Sequence, residues 1–147
     1  MTTSFIKRCR YIAISGALII WLIKLVIRPS GLLDHTFAGF FLGIAPNLIG
    51  SFLIPFFACW LFANKTGWLA RFFPVHHITG LRLLCLQSLV LLIVNEYLQK
   101  IRFFGRTFDY YDMLFSAAGL VTAYFIFAAR LQRIPVPEKA VTRGQLL

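Results

Sequence analysis

The sequence predicts an all-α fold: a polytopic membrane protein, a four-transmembrane-helix bundle whose second helix is kinked or broken. Three observations predict it. Hydrophobic residues make up 59% of the 147-residue chain and charged residues 14%, against roughly 45–50% and about 25% in a soluble domain. The apolar residues gather into four runs, at about 11–27, 37–63, 81–98 and 110–129, and about 20 apolar residues are enough to span a bilayer. Lys and Arg fall between the runs or at their ends, as topology signals do. The 16 Phe are more than a soluble core of this size encloses, whereas in a bilayer their rings can face acyl chains. The length is that of a single domain, residues 1–147.

The first run, 11–27, follows Lys7, Arg8 and Arg10. That basic start also suits a signal peptide, but no small-x-small cleavage site follows. It reads as a retained signal-anchor helix, with Lys24 near its far end snorkelling to the headgroups. The second run, 37–63, contains Pro46 and Pro55. Proline lacks the N–H and clashes with the preceding turn, so a kink or break is expected near Ala45–Asn47; a tilted helix and a re-entrant loop are both open. Gly39 and Gly43 have the GxxxG spacing that permits close helix contact.

A polar connection follows, residues 64–79, holding GWLARFF. It suits a short interfacial helix with Trp68 at headgroup level. His76 and His77 are adjacent and do not share a helix face, so they read as interfacial rather than as a metal pair. The third run is 81–98. In the fourth, 110–129, the small-residue stretch SAAG at 116–119 should pack closely on another helix. The tail, 130–147, reads as a short cytoplasmic end. Cys9, Cys59 and Cys85 form no CxxC pair and read as reduced, inert thiols without disulfide or metal.

With four spans, ten Lys and Arg share one side: Lys7, Arg8, Arg10, Lys65, Arg71, Arg82, Arg130, Arg133, Lys139 and Arg143. Five lie on the other: Lys24, Arg28, Lys100, Arg102 and Arg106. The positive-inside rule then puts both termini in the cytoplasm. The net charge of +10 is scattered at run ends, which fits anionic lipid surfaces and not nucleic acid.

The chain has five carboxylates. Apart from Glu138 in the tail, all of them (Asp34, Glu96, Asp109 and Asp112) fall at or just inside the outer face of this arrangement. Glu96 and Gln99 share a helix face, as do Asp109 and Asp112, and Arg106 lies between the pairs. A carboxylate inside a bilayer costs about 2.5–3.5 kcal/mol on insertion scales, so four near one plane point to a polar pocket partly neutralised by Arg106. Each also has a plain structural reading. Asp109 can cap the fourth helix, Asp112 can complement its dipole, Glu96 can pair with Lys100, and Asp34 can be a loop acid beside His35.

Three segments resemble a known family. LLDHTFAGFFLG at 32–43, NEYLQ at 95–99 and GRTFDYYDMLFSAAG at 105–119 resemble, in order, the motifs of VanZ-like membrane proteins. Asp34 and His35 are adjacent here where the family usually separates them, Ser116 stands where an Asn is frequent, and APNLIGSFLIP has no counterpart. The resemblance implies a protein of the cell envelope, in a bacterial inner or plasma membrane, linked to lowered susceptibility to teicoplanin-type lipoglycopeptides. Its candidate ligand-binding residues are Asp34, His35, Glu96, Gln99, Arg106, Asp109 and Asp112.

Three functions compete. One is a module binding an amphiphilic or lipid-linked molecule at an outer pocket. The second is an accessory subunit of a larger membrane complex or homo-oligomer. The third is an enzyme or transporter using the acidic cluster. No nucleophile elbow, HExxH or phosphate loop is present in the sequence, and no cofactor is implied. Membrane lipids are the expected partners in every case.

Overall fold

The computed structural model describes residues 3–30, 37–65, 67–73, 75, 77–99 and 109–132. Among these residues there are five α-helices and no strand. They are α1 (Thr3–Leu22), α2 (Phe37–Phe62), α3 (Trp68–Phe72), α4 (Ile78–Gln99) and α5 (Tyr110–Gln132). Four continuous stretches are long and apolar enough to cross a membrane: Thr3–Ser30, Phe37–Phe62, Ile78–Leu98 and Tyr110–Gln132. The shortest has 21 residues, which at about 1.5 Å per residue matches a hydrocarbon core of about 30 Å. The first has 28 residues, because the basic turn carrying Lys7, Arg8 and Arg10 is helical too. That helix therefore begins ahead of the apolar run.

Helix directions follow from side-chain pairs. Arg28 meets Gly43 and Gly16 meets Leu53, so α1 and α2 run antiparallel. Phe40 meets Tyr111 and Phe56 meets Phe127, so α2 and α5 run parallel. Arg82 meets Tyr124 across the antiparallel α4–α5 pair. α2 is the central helix, packed most extensively on α5 and then on α1, while α4 packs on α5 and touches α2 more lightly. The start of α1 and the finish of α5 consequently share one end of the bundle.

The closest approach is between α2 and α5. A Cβ on Gly119 would overlap Ser51 Oγ and the Leu48 carbonyl oxygen. Ser116 beside it is buried at 4% exposure, so the SAAG stretch does bring two backbones together. Gly43 does not: a Cβ there would meet Arg28 Nη2 at 3.8 Å and no α-helix backbone. In α1 it is Gly16 that admits a neighbour, the end of the Leu53 side chain.

α2 is one uninterrupted helix with Pro46 and Pro55 inside it, not two half-helices around a re-entrant turn. Membrane helices carry such prolines when neighbouring groups take up the freed backbone carbonyls. Pro46 withdraws the donor due to the Leu42 carbonyl. At the next carbonyl, that of Gly43, the Arg28 guanidinium donates a hydrogen bond from α1. Arg28 reaches it because α1 ends in a π turn, Ile23–Ile27, closed by the Arg28 N–H donating to the Ile23 carbonyl. A 3₁₀ turn follows over Arg28–Ser30, with Ser30 Oγ donating to the Ile27 carbonyl at 2.6 Å. The extra residue in a π turn re-aims whatever follows it by about a hundred degrees.

The main apolar cluster fills the half of the bundle holding the start of α1 and the finish of α5. Phe56, Cys59, Leu81, Leu84, Ala123 and Phe127 form it, all buried. Cys9 joins it, its thiol against that of Cys59 across the α1–α2 seam, and all three cysteines are free thiols. The large outward side chains, such as Leu18, Leu86, Leu91 and Phe125, belong against acyl chains. Phe73 stacks on Phe62 at 4.8 Å, tying the α3 segment to the finish of α2. Trp68 and Phe72 share a groove of about 540 Å³ with Leu86 and Leu91. The short helix thus lies along the flank of α4.

Candidate functional site at the acidic end

The two ends of the bundle differ in charge. Among the described residues, Lys7, Arg8, Arg10, Lys65, Arg71, Arg82 and Arg130 lie toward the end that holds the start of α1. All three described carboxylates, Glu96, Asp109 and Asp112, lie toward the other. Their heights can be read from the helix register. Arg82 and Tyr124 are level. Fourteen residues along each helix, about 21 Å away, Glu96 comes level with Tyr110. Tyr110 stands in sequence between Asp109 and Asp112. The three carboxylates therefore occupy one layer.

They differ in environment. Glu96 is buried at 7% exposure, near the last turn of α4. Asp112 is half-buried in the first turn of α5, where the partial positive charge of a helix N-terminus favours an anion. Asp109 is exposed, and its Oδ1 accepts the Tyr111 N–H at 2.8 Å. That is an N-cap, the plain reading of this residue. Gln99 is the final residue of α4, one turn beyond Glu96. Asp34, His35, Arg106 and Lys100, and the side chain of Gln99, lie outside the described residues.

Sequence reasoning assigned Arg106 as the cation of this layer and passed over Arg28. The structure places Arg28 on the Gly43 carbonyl, three residues along α2 from Phe40, which touches Tyr111. Arg28 thus stands within about one helical turn, in height, of the carboxylates. No motif announces this role. The available signal was a lone Arg closing the first apolar run, opposite a proline in the second.

The carboxylates of the layer can hold negative charge and accept hydrogen bonds. Among the described residues, no group of three His, Cys, Asp or Glu side chains could hold an ion. His77 is exposed beyond the other end of the bundle, at the start of α4.

Four apolar helices of spanning length define an integral membrane protein. In comparisons with family models, with curated proteins and with solved structures, the chain matches none.

Proposed function

We propose that this chain is a VanZ-like protein of the bacterial plasma membrane that binds the headgroup of an amphiphilic or lipid-linked molecule at its acidic end. Both termini lie in the cytoplasm, so the acidic layer faces the outer leaflet. The excess of Lys and Arg at the other end supports this orientation through the positive-inside rule.

One observation carries the reading. Glu96 is a carboxylate buried in a spanning helix, and an ionisable group at membrane depth is costly to keep, which makes it a functional candidate by default. Asp112 in the same layer adds a second acid. Two carboxylates near one height favour a cationic group, such as the amine of an amphiphile whose apolar part stays in the lipid. The main apolar cluster is confined to the opposite half of the bundle, so the acidic half is the part not given over to that core. A subunit role has weaker support, because the outward Leu and Phe side chains are as well served by acyl chains as by a protein partner.

The test is expression in a bacterium susceptible to a teicoplanin-type lipoglycopeptide. The wild-type chain raises the inhibitory concentration, and Glu96→Gln, at equal membrane abundance, returns it to the level of the empty host. No change with wild type, or full protection by Glu96→Gln, rejects the proposal.

A further inference from the structure

At the basic end, a groove of about 420 Å³ runs between α4 and α5. Its floor is Leu120, buried at 3%, and its walls are Leu86 and Val121, which project outward at 63% and 54% exposure. It stays open because Cys85 and Ala117 are small where the helices face each other. It extends from Arg82 to Leu89, seven residues or about 10 Å along the helix. That is about two thirds of one leaflet of a 30 Å hydrocarbon core.

Arg82 closes the groove at the end of the bundle. Its Nε donates to Tyr124 Oη at 3.0 Å. One edge of the guanidinium is thereby fixed, and the two terminal nitrogens remain directed away from that bond, in a planar fork suited to phosphate oxygens. The residue is exposed. Every described carboxylate lies in the acidic layer about 21 Å away, so no described acid neutralises Arg82. Arg130 adds a second cation farther along α5.

The geometry points to a site for one anionic phospholipid, with an acyl chain in the α4–α5 groove and its phosphate on Arg82. Tyr124 is a positioning residue, holding the guanidinium over the mouth. A cation at the head of an apolar channel that opens sideways to lipid is complementary in charge and shape to this amphiphile. The site is at the opposite end from the acidic layer. It stands whichever way the chain is inserted and independently of the function proposed above.

Native mass spectrometry of the delipidated protein, titrated with phosphatidylglycerol or phosphatidylcholine, tests this. Wild type retains one phosphatidylglycerol about fivefold more tightly than phosphatidylcholine, the preference that one basic contact provides. Arg82→Ala abolishes the preference and Arg82→Lys keeps part of it. Ala117→Phe fills the groove and weakens binding of both lipids with the charge unchanged. Arg130→Ala, equal in charge to Arg82→Ala, leaves the preference in place. Equal losses in Arg82→Ala and Arg130→Ala would mean diffuse charge attraction and overturn the site. So would unchanged binding in Ala117→Phe, or full competition by glycerol phosphate, which has no acyl chain.

Discussion

Gly119 of α5 lies directly on Ser51 of α2, with no room between them for a methyl group. Ser51 is buried and its hydroxyl donates to the Leu48 carbonyl at 3.0 Å. The surface presented to α5 is therefore helix backbone. In lipid, where apolar burial drives little helix association, such close backbone contact is the main attraction available.

Gly119→Ala is expected to destabilise the bundle by about 2 kcal/mol, the usual scale of overpacking. The atoms in the way are a backbone oxygen and a short buried side chain, and neither can swing aside. Gly16→Ala meets only the end of the Leu53 side chain and should cost less. Gly67→Ala meets nothing within 4 Å and serves as the neutral control. Thermal unfolding of the three variants in one detergent gives the order, and equal midpoints for Gly119→Ala and Gly67→Ala would contradict the packing described.

Arg28 is predicted to stabilise the first half of α2, toward the acidic end, through the Gly43 carbonyl. Arg28→Ala should cost about 1 kcal/mol, the usual net value of one hydrogen bond, since the bond is exposed. Amide exchange should rise locally around Gly43–Asn47 and not at Phe56–Phe62. Uniform exchange along α2 in the variant would remove this role from Arg28.

Asp109 separates capping from binding. Asp109→Asn keeps a good N-cap, whereas Asp109→Ala loses it at about 1 kcal/mol. Faster amide exchange at Tyr111 in Asp109→Ala alone is the expected result. If Asp109→Asn behaves like Asp109→Ala, the negative charge and not the cap is what matters.

The helix directions allow a direct test of orientation. In a cysteine-free background, a cysteine at Asp109 should react with a membrane-impermeant maleimide added to intact cells. One at Lys65 should react only after lysis. The reverse pattern would place the acidic layer on the cytoplasmic side.

Much of this fold is legible in the sequence because the bilayer imposes it. A run of about 20 apolar residues has few other options than a spanning helix, and the four runs become α1, α2, α4 and α5. Pro46 and Pro55 leave both a kinked and a broken α2 open in the sequence. α2 nevertheless runs uninterrupted through both prolines, in keeping with the membrane's demand that backbone groups stay bonded. Of the candidate site, the common height of Glu96 with Asp109 and Asp112 follows from span alternation alone. What alternation cannot convey is lateral placement: that Glu96 turns inward while Asp109 faces out, that Arg28 crosses to α2, or that Cys9 and Cys59 meet. Those depend on helix rotation and neighbour order, which hydropathy leaves open.

We propose that the acidic layer takes an amphiphile's headgroup through Glu96. The most direct test of this is equilibrium binding of a fluorescent teicoplanin-type lipoglycopeptide to the purified chain in nanodiscs of neutral lipid. Saturable binding by wild type, weakened at least about tenfold by Glu96→Gln (about 1.4 kcal/mol) and by a smaller factor in Asp112→Asn, is the predicted result. Binding of equal strength in wild type, Glu96→Gln and Asp112→Asn would contradict it.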